Sequence, residues 1–131
     1  MAIREIVQEI YAAFGRGDIQ AILRHVSPDV SWEHEAIDHG IPWLTPGRGL
    51  DHVSAFFGVV QREVAIEAFE VQKLFVEGDE VIATIHIEFK VHSTGKRVRD
   101  RELHHWTFGR DGKVVRFRHV LDTHQHWLSS R

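Results

Sequence analysis

The stretch "WTFGRDGKVVRFRHVLDT", Trp106–Thr123, reads as two strands joined by a tight turn. Apolar residues alternate with polar ones on both sides of "GRDGK", whose glycines and aspartate suit a hairpin turn. So short a link makes the two strands antiparallel neighbours. Alternation then assigns faces. In a strand predicted over 97–109, Val98, Asp100, Glu102, His104, Trp106 and Phe108 share one side. Trp106 and Phe108 are the strongest core candidates, so their side points inward and takes Asp100, Glu102 and His104 with it. In a strand predicted over 113–122, Val115, Phe117, His119 and Leu121 form the better core face. Asp122 has outward parity there unless the strand ends or bulges before it. Buried acids and imidazoles are costly unless paired or partly wet. The inward polar set therefore points to a solvated, functional pocket mouth.

Working outward, two more strands are predicted over 65–76 and 80–92, with turns at "EGDE" and "STGK". Val81, Ala83, Ile85, Ile87, Phe89 and Val91 form the inward face of the second. The N-terminal half has helical spacing instead. Ile3, Ile6, Val7, Ile10, Tyr11 and Phe14 make one apolar stripe over 3–14. Asp18 is a good N-cap for a short helix over 19–25, which Pro28 prevents from continuing. "VSWEHEA" (30–36) alternates as a strand, with His34 on the side of Val30 and Trp32. Residues 37–49 hold two prolines and three glycines and read as a loop, with Trp43 as a plug or lid. A third helix follows over 50–63. The fold class is α+β: one domain, 1–131, with three N-terminal helices packed on a curved, mainly antiparallel sheet.

Composition excludes several classes. With 43% hydrophobic and 27% charged residues, the chain has the balance of a globular domain with a real core. There is no cysteine, hence no disulfide, thiol nucleophile or cysteine-ligated zinc. A formal charge of −3 gives no nucleic-acid signature. The basic run "GKRVRDR" is broken by Asp100 and reads as a solvated strand face. No apolar run approaches membrane-spanning length and no secretory leader is evident, so a cytoplasmic location is expected. There is no phosphate loop, nucleophile elbow or dinucleotide fingerprint. His124 and His126 are spaced as H-x-H near His119 and Asp122. No H-E-x-x-H accompanies them, so neither metal nor cofactor is expected.

Three pieces in order resemble the SnoaL-like branch of the NTF2-like superfamily, which includes ketosteroid isomerases, polyketide cyclases and limonene epoxide hydrolases. They are "AAFGRGDIQAILRHVSPDVSWEHE", "IPWLTPGRGLDHVSAFF" and "WTFGRDGKVVRFRHVLDT". The resemblance implies a strongly bent sheet around a long helix, a cone enclosing an apolar pocket. It also implies a homodimer through the outer sheet face, which here carries His86, Glu88, Arg99, Arg101, Leu103 and His105. Asp122 falls where the cyclases and epoxide hydrolases place a catalytic aspartate. His104 falls at the isomerases' oxyanion-hole acid, and Glu33–His34 at their general base. Tyr11 lies near their tyrosine. The epoxide hydrolase arginine–aspartate pair aligns with Ile85 and Ile87, which speaks against that reaction.

The chemistry expected is proton transfer on a small apolar carbonyl compound, an isomerisation or aldol-type cyclisation. Asp122 or His34 would be the base, and His104 with His119 the donor or relay. Trp32, Trp43, Tyr11, Glu102, Phe117 and Trp106 would line the substrate pocket. The alternatives are a non-catalytic binding or dimerisation module and a metal-dependent enzyme. Parity sends His105 outward and leaves His124 and His126 to the tail.

Overall fold

In a computed structural model, which describes residues 1–35 and 37–131, the helical and alternating patterns become four α-helices, one 3₁₀ turn and six strands. In chain order these are α1 (Ile3–Gly15), α2 (Ile19–Leu23), β1 (Val26–His34), the turn Pro42–Leu44, β2 (Gly47–Arg48), α3 (Leu50–Glu63), β3 (Val64–Glu77), β4 (Glu80–Val91), β5 (Arg97–Phe108), β6 (Val114–Val120) and α4 (Thr123–Ser129). The apolar stripe of α1 buries Ile6, Val7, Ile10 and Ala13. Asp18 caps α2 by accepting from the Ala21 amide at 3.1 Å.

The six strands form one curved sheet in the order β2-β1-β6-β5-β4-β3. Strands β3 to β6 make the antiparallel run that their short turns require. Strand β6 then lies parallel to β1. Helices α1 and α3 cover the inner face, where their apolar sides meet Trp32, Val81, Trp106, Phe108 and Phe117. A second cluster joins Ile41, Trp43 and Leu44 of the loop to Phe89, Val98 and Leu121. Two glycines shape the entry into α3. A Cβ on Gly47 would stand 2.3 Å from the His52 ring, and Gly49 holds φ at 89°.

Several sequence expectations need revision. Strand β1 begins at Val26 and includes Pro28, where the register against β6 shifts between Val26 and Ser31. That irregular segment absorbs a residue with no N–H to give. Of the three expected N-terminal helices, α2 is only five residues long, and α4 forms where a tail was expected. Val114, expected outside, is buried, because β6 bulges between Val114 and Arg116 against β5. Ala36, the last residue of the predicted first strand, lies outside the described residues. Among those residues no helix is long and apolar enough to cross a membrane.

Candidate active site

Strand register builds the site row by row. His34 pairs with His119 across β1 and β6, and His119 with His104 across β6 and β5. Three imidazoles thus stand in a row on adjacent strands, followed on β4 by the small Ala83. The next row is aromatic: Trp32, Phe117 and Trp106, with Val81. Two residues along β5 from His104, on the same side, lies Glu102, 4% exposed.

Glu102 is the hub. Its Oε1 receives His119 Nε2 at 2.5 Å, and its Oε2 receives His126 Nε2 at 3.0 Å. His104 Nε2 stands 3.9 Å from Oε1, too far for a hydrogen bond. An ionised carboxylate only accepts, so the ring nitrogens bonded to it carry protons. Burial works to raise the Glu102 pKa. The charge of His119 and the contacts with His104, His119 and His126 outweigh it and hold the carboxyl well below its ordinary value.

Each histidine is fixed from behind. Trp106 Nε1 donates to the Tyr11 hydroxyl at 3.1 Å, and that hydroxyl meets His104 Nδ1 at 2.7 Å. The Tyr11 proton therefore goes to His104 Nδ1, leaving the His104 N–H at Nε2. Burial keeps His104 neutral, with a pKa lowered to about 4 and that of Tyr11 raised. Trp43 Nε1 donates to His126 Nδ1 at 3.0 Å, so His126 carries its proton on Nε2, between Asp100 Oδ2 at 3.1 Å and Glu102. Burial opposes charging His126, but hydrogen bonds and charge from Asp100 and Glu102 raise its pKa overall. A second proton would enter at Nδ1, at the expense of the Trp43 hydrogen bond. His119 Nδ1 faces His34 Nδ1 at 3.0 Å. His34 stacks on Phe56, with ring centroids 5.1 Å apart. Burial, then the charges of His119, His52 and His104, lower its pKa to about 2. Trp32 Nε1 and His34 Nε2 are the fully buried side-chain nitrogens without a partner among the described residues.

A cavity of about 100 Å³ opens onto this network. Its walls are almost wholly apolar and include Phe14, Trp43, Phe57, Val60 and Phe69. Glu102, His104, His119 and His126 line it. So do Tyr11, Trp32, Trp106 and Phe117, as expected from the sequence. His34 is not in the lining; it sits behind His119. Asp122 is the clear correction. Strand β6 ends at Val120, and exposed Asp122 becomes the N-cap of α4, accepting from the Gln125 amide at 3.1 Å. His126 is the residue that sequence reading missed. The cap that draws Asp122 out starts the short helix that carries His126 in. Asp100, inward by parity but given no role, accepts from the Asp122 amide at 3.1 Å and helps hold His126.

Two donor sets lie close enough to consider an ion: Glu102, His104, His119 and Asp100, Glu102, His126. In the second, the Trp43 donor puts the His126 proton on the nitrogen an ion would need. In the first, His119 Nε2 and Glu102 Oε1 are 2.5 Å apart. Donors each about 2.0–2.2 Å from one zinc stand roughly 3 Å apart or more. Both sets fit a hydrogen-bonded network better than an ion. Ile85, 1% exposed, pairs with Glu102, and Ile87 pairs with Asp100.

The sequence profile of the SnoaL-like domain matches residues 7–117. This chain belongs to the SnoaL-like family. Solved structures with the same fold agree. An NTF2-like protein from Burkholderia thailandensis is 26% identical, with 100% of this chain and 98% of that one covered and a TM-score of 0.88. One from Burkholderia xenovorans is 24% identical over 98% and 95% of the two chains, with a TM-score of 0.87. TerC, crystallised with polyporic acid, is 24% identical over 97% and 96%, with a TM-score of 0.79. None of the curated proteins matches this SnoaL-like chain.

Proposed function

We propose that this SnoaL-like protein is a cofactor-independent acid–base enzyme acting on a small, mostly apolar carbonyl compound, by isomerisation or aldol-type cyclisation. The observation that carries this reading is the meeting of one free N–H and one carboxylate at the polar end of an apolar cavity. His104 Nε2 makes no hydrogen bond among the described residues and belongs to a ring that lines the cavity. As a neutral imidazole it donates to a carbonyl oxygen without carrying charge. Glu102 accepts a proton from the carbon beside that carbonyl. The electron pair moves to oxygen, where the His104 donor stabilises the enolate. The proton returns from Glu102 to the product carbon, or the enolate carbon attacks a second carbonyl and closes a ring, and the alkoxide formed takes the proton held by Glu102. His119 and His126 orient the carboxylate, and Trp43 with the phenylalanines excludes water. The test is incubation with a panel of cyclic ketones in heavy water, followed by mass spectrometry. Deuterium incorporation beside the carbonyl, above the buffer rate, is the expected result. A panel left unlabelled despite measurable binding overturns the reading.

A second reading, a non-catalytic binding module, draws on a specific observation. Glu102, His119 and His126 spend their facing polar atoms on one another. This reading expects saturable binding of an apolar ligand that is recovered unchanged.

A further inference from the structure

We propose that Phe69 gates the cavity and that the ligand is a flat aryl ketone, which enters between α1, α3 and β3 and sits with its carbonyl inward. The choice of a ketone rests on the acid–base reading; the route does not. Exposure locates the route. The polar residues of the lining, Glu102, His104, His119 and His126, are buried. So are the lining residues of β1, β5, β6, α4 and the loop with Trp43. Lining residues that reach solvent come from α1, α3 and β3, and from Ile87 on β4, the partner of Phe69. Ile66 of β3 is 37% exposed. The cavity therefore meets water at its apolar end, and a ligand passes apolar side chains before it reaches Glu102.

Three rings stand at that end. The Phe14 ring centroid lies 5.9 Å from that of Phe57 and 5.1 Å from that of Phe69. Phe69 in turn lies 6.4 Å from the His104 ring, so a ligand entering past β3 meets Phe69 on its way to His104. A bulge brings Phe69 there. Glu67 is an extra residue in β3, so Ile66 pairs with Phe89 and Phe69 with Ile87. Unbroken alternation would set Ala68 opposite Ile87. A second irregularity follows between Val71 and Lys73. Strand β3 is also the sheet edge, bonded to β4 alone. Of the strands that line the cavity, it is held on one side only and its ladder is interrupted twice, so it gives way most readily. The rings at the mouth favour a flat ligand, because aromatic pairs attract beyond the area they bury. Carbonyl-inward seating follows, since the deep end holds the His104 N–H. Phe69 sets access and fit; it does not touch the reacting atoms.

The test uses acetophenone and the intact protein. Stopped-flow quenching of tryptophan fluorescence follows binding, because Trp32, Trp43 and Trp106 line the cavity. Phe69→Ala should speed both association and dissociation by about tenfold, within the range over which association rates vary among related complexes. A ring that only contributes packing would change dissociation alone. Phe69→Leu keeps an apolar side chain on β3 and should speed both rates to a smaller extent, which reads the gate even if Phe69→Ala does not fold. In NMR spectra of the complex, the para proton of acetophenone should contact Ile66 and its methyl group His104. Acetophenone should also bind severalfold more tightly than cyclohexyl methyl ketone. An unchanged association rate in the folded variants overturns the gate. Reversed contacts overturn the seating. Binding of the aryl ketone that is absent, or no tighter than that of its saturated counterpart, overturns the ligand class. Acetophenone that is bound and seated as expected, yet gains no deuterium from heavy water, overturns the acid–base reading and leaves the gate standing.

Discussion

Glu102 shows what one buried charge demands of its surroundings. Left alone, a carboxylate 4% exposed would take a proton rather than remain ionised. Ring N–H groups from β6 and α4 prevent that, and indole or phenol groups behind His126 and His104 fix which nitrogen carries each proton. The histidines in turn set a pH dependence. His34 and His104 have pKa values lowered, chiefly by burial, to about 2 and about 4 from an ordinary 6.5. Unfolding lets both take protons near 6.5, so the unfolded state binds more protons and stability falls as pH drops from there toward 4. His126, raised overall, contributes fully below its ordinary value and adds no slope in that window. Glu102, held low, adds its loss only below the ordinary carboxyl value of 4.5. Urea midpoints should therefore fall between about pH 7 and pH 5, by on the order of 1–2 kcal/mol for each of the two rings. His104→Phe should remove about half of that slope. Midpoints flat over this range contradict the burial of neutral rings.

At the scale of elements, two short pieces decide which side chains enter the site. Helix α4 has seven residues, yet it swings His126 inward and leaves Asp122 outside as its cap. Asp122→Ala should cost about 1 kcal/mol in thermal or urea unfolding, as lost N-caps do, and leave any turnover unchanged. A folded Asp122→Ala protein without activity would contradict that assignment. The same two residues mark the limit of legibility. Strand β5 was readable because six inward residues alternate without a break, from Val98 to Phe108. The pairing of His104 and His119 follows from the same parity and a tight turn. A seven-residue helix offers barely two turns of periodicity, so "THQHWLS" reads as tail. The bulge at Val115 leaves no mark on composition, since either Val114 or Val115 suits a core. Family likeness put Asp122 in the pocket, whereas its capping oxygen, a local matter, took it out.

At the scale of the molecule, the helices and the loop carrying Trp43 enclose the cavity, while the outer sheet face stays bare. Leu103 pairs with Val120 of β6 and with Thr84 of β4, and Ile82, two residues along β4 from Thr84, pairs with Phe75 of β3. Leu103 is 39% and Val120 46% exposed. Such an apolar band suits the homodimer that the family resemblance implies. Light scattering should give a dimer for the wild type and a monomer for Leu103→Glu; a monomeric wild type contradicts the band's assignment. The enclosed side carries the larger claim, that Glu102 is the group exchanging protons with a ligand in the cavity. The most direct measurement is the rate of deuterium incorporation into a bound cyclic ketone, compared between wild type and Glu102→Gln. The expected result is a loss of at least about a hundredfold in Glu102→Gln, with ligand binding retained. Equal rates in the two proteins, at equal occupancy, would contradict it.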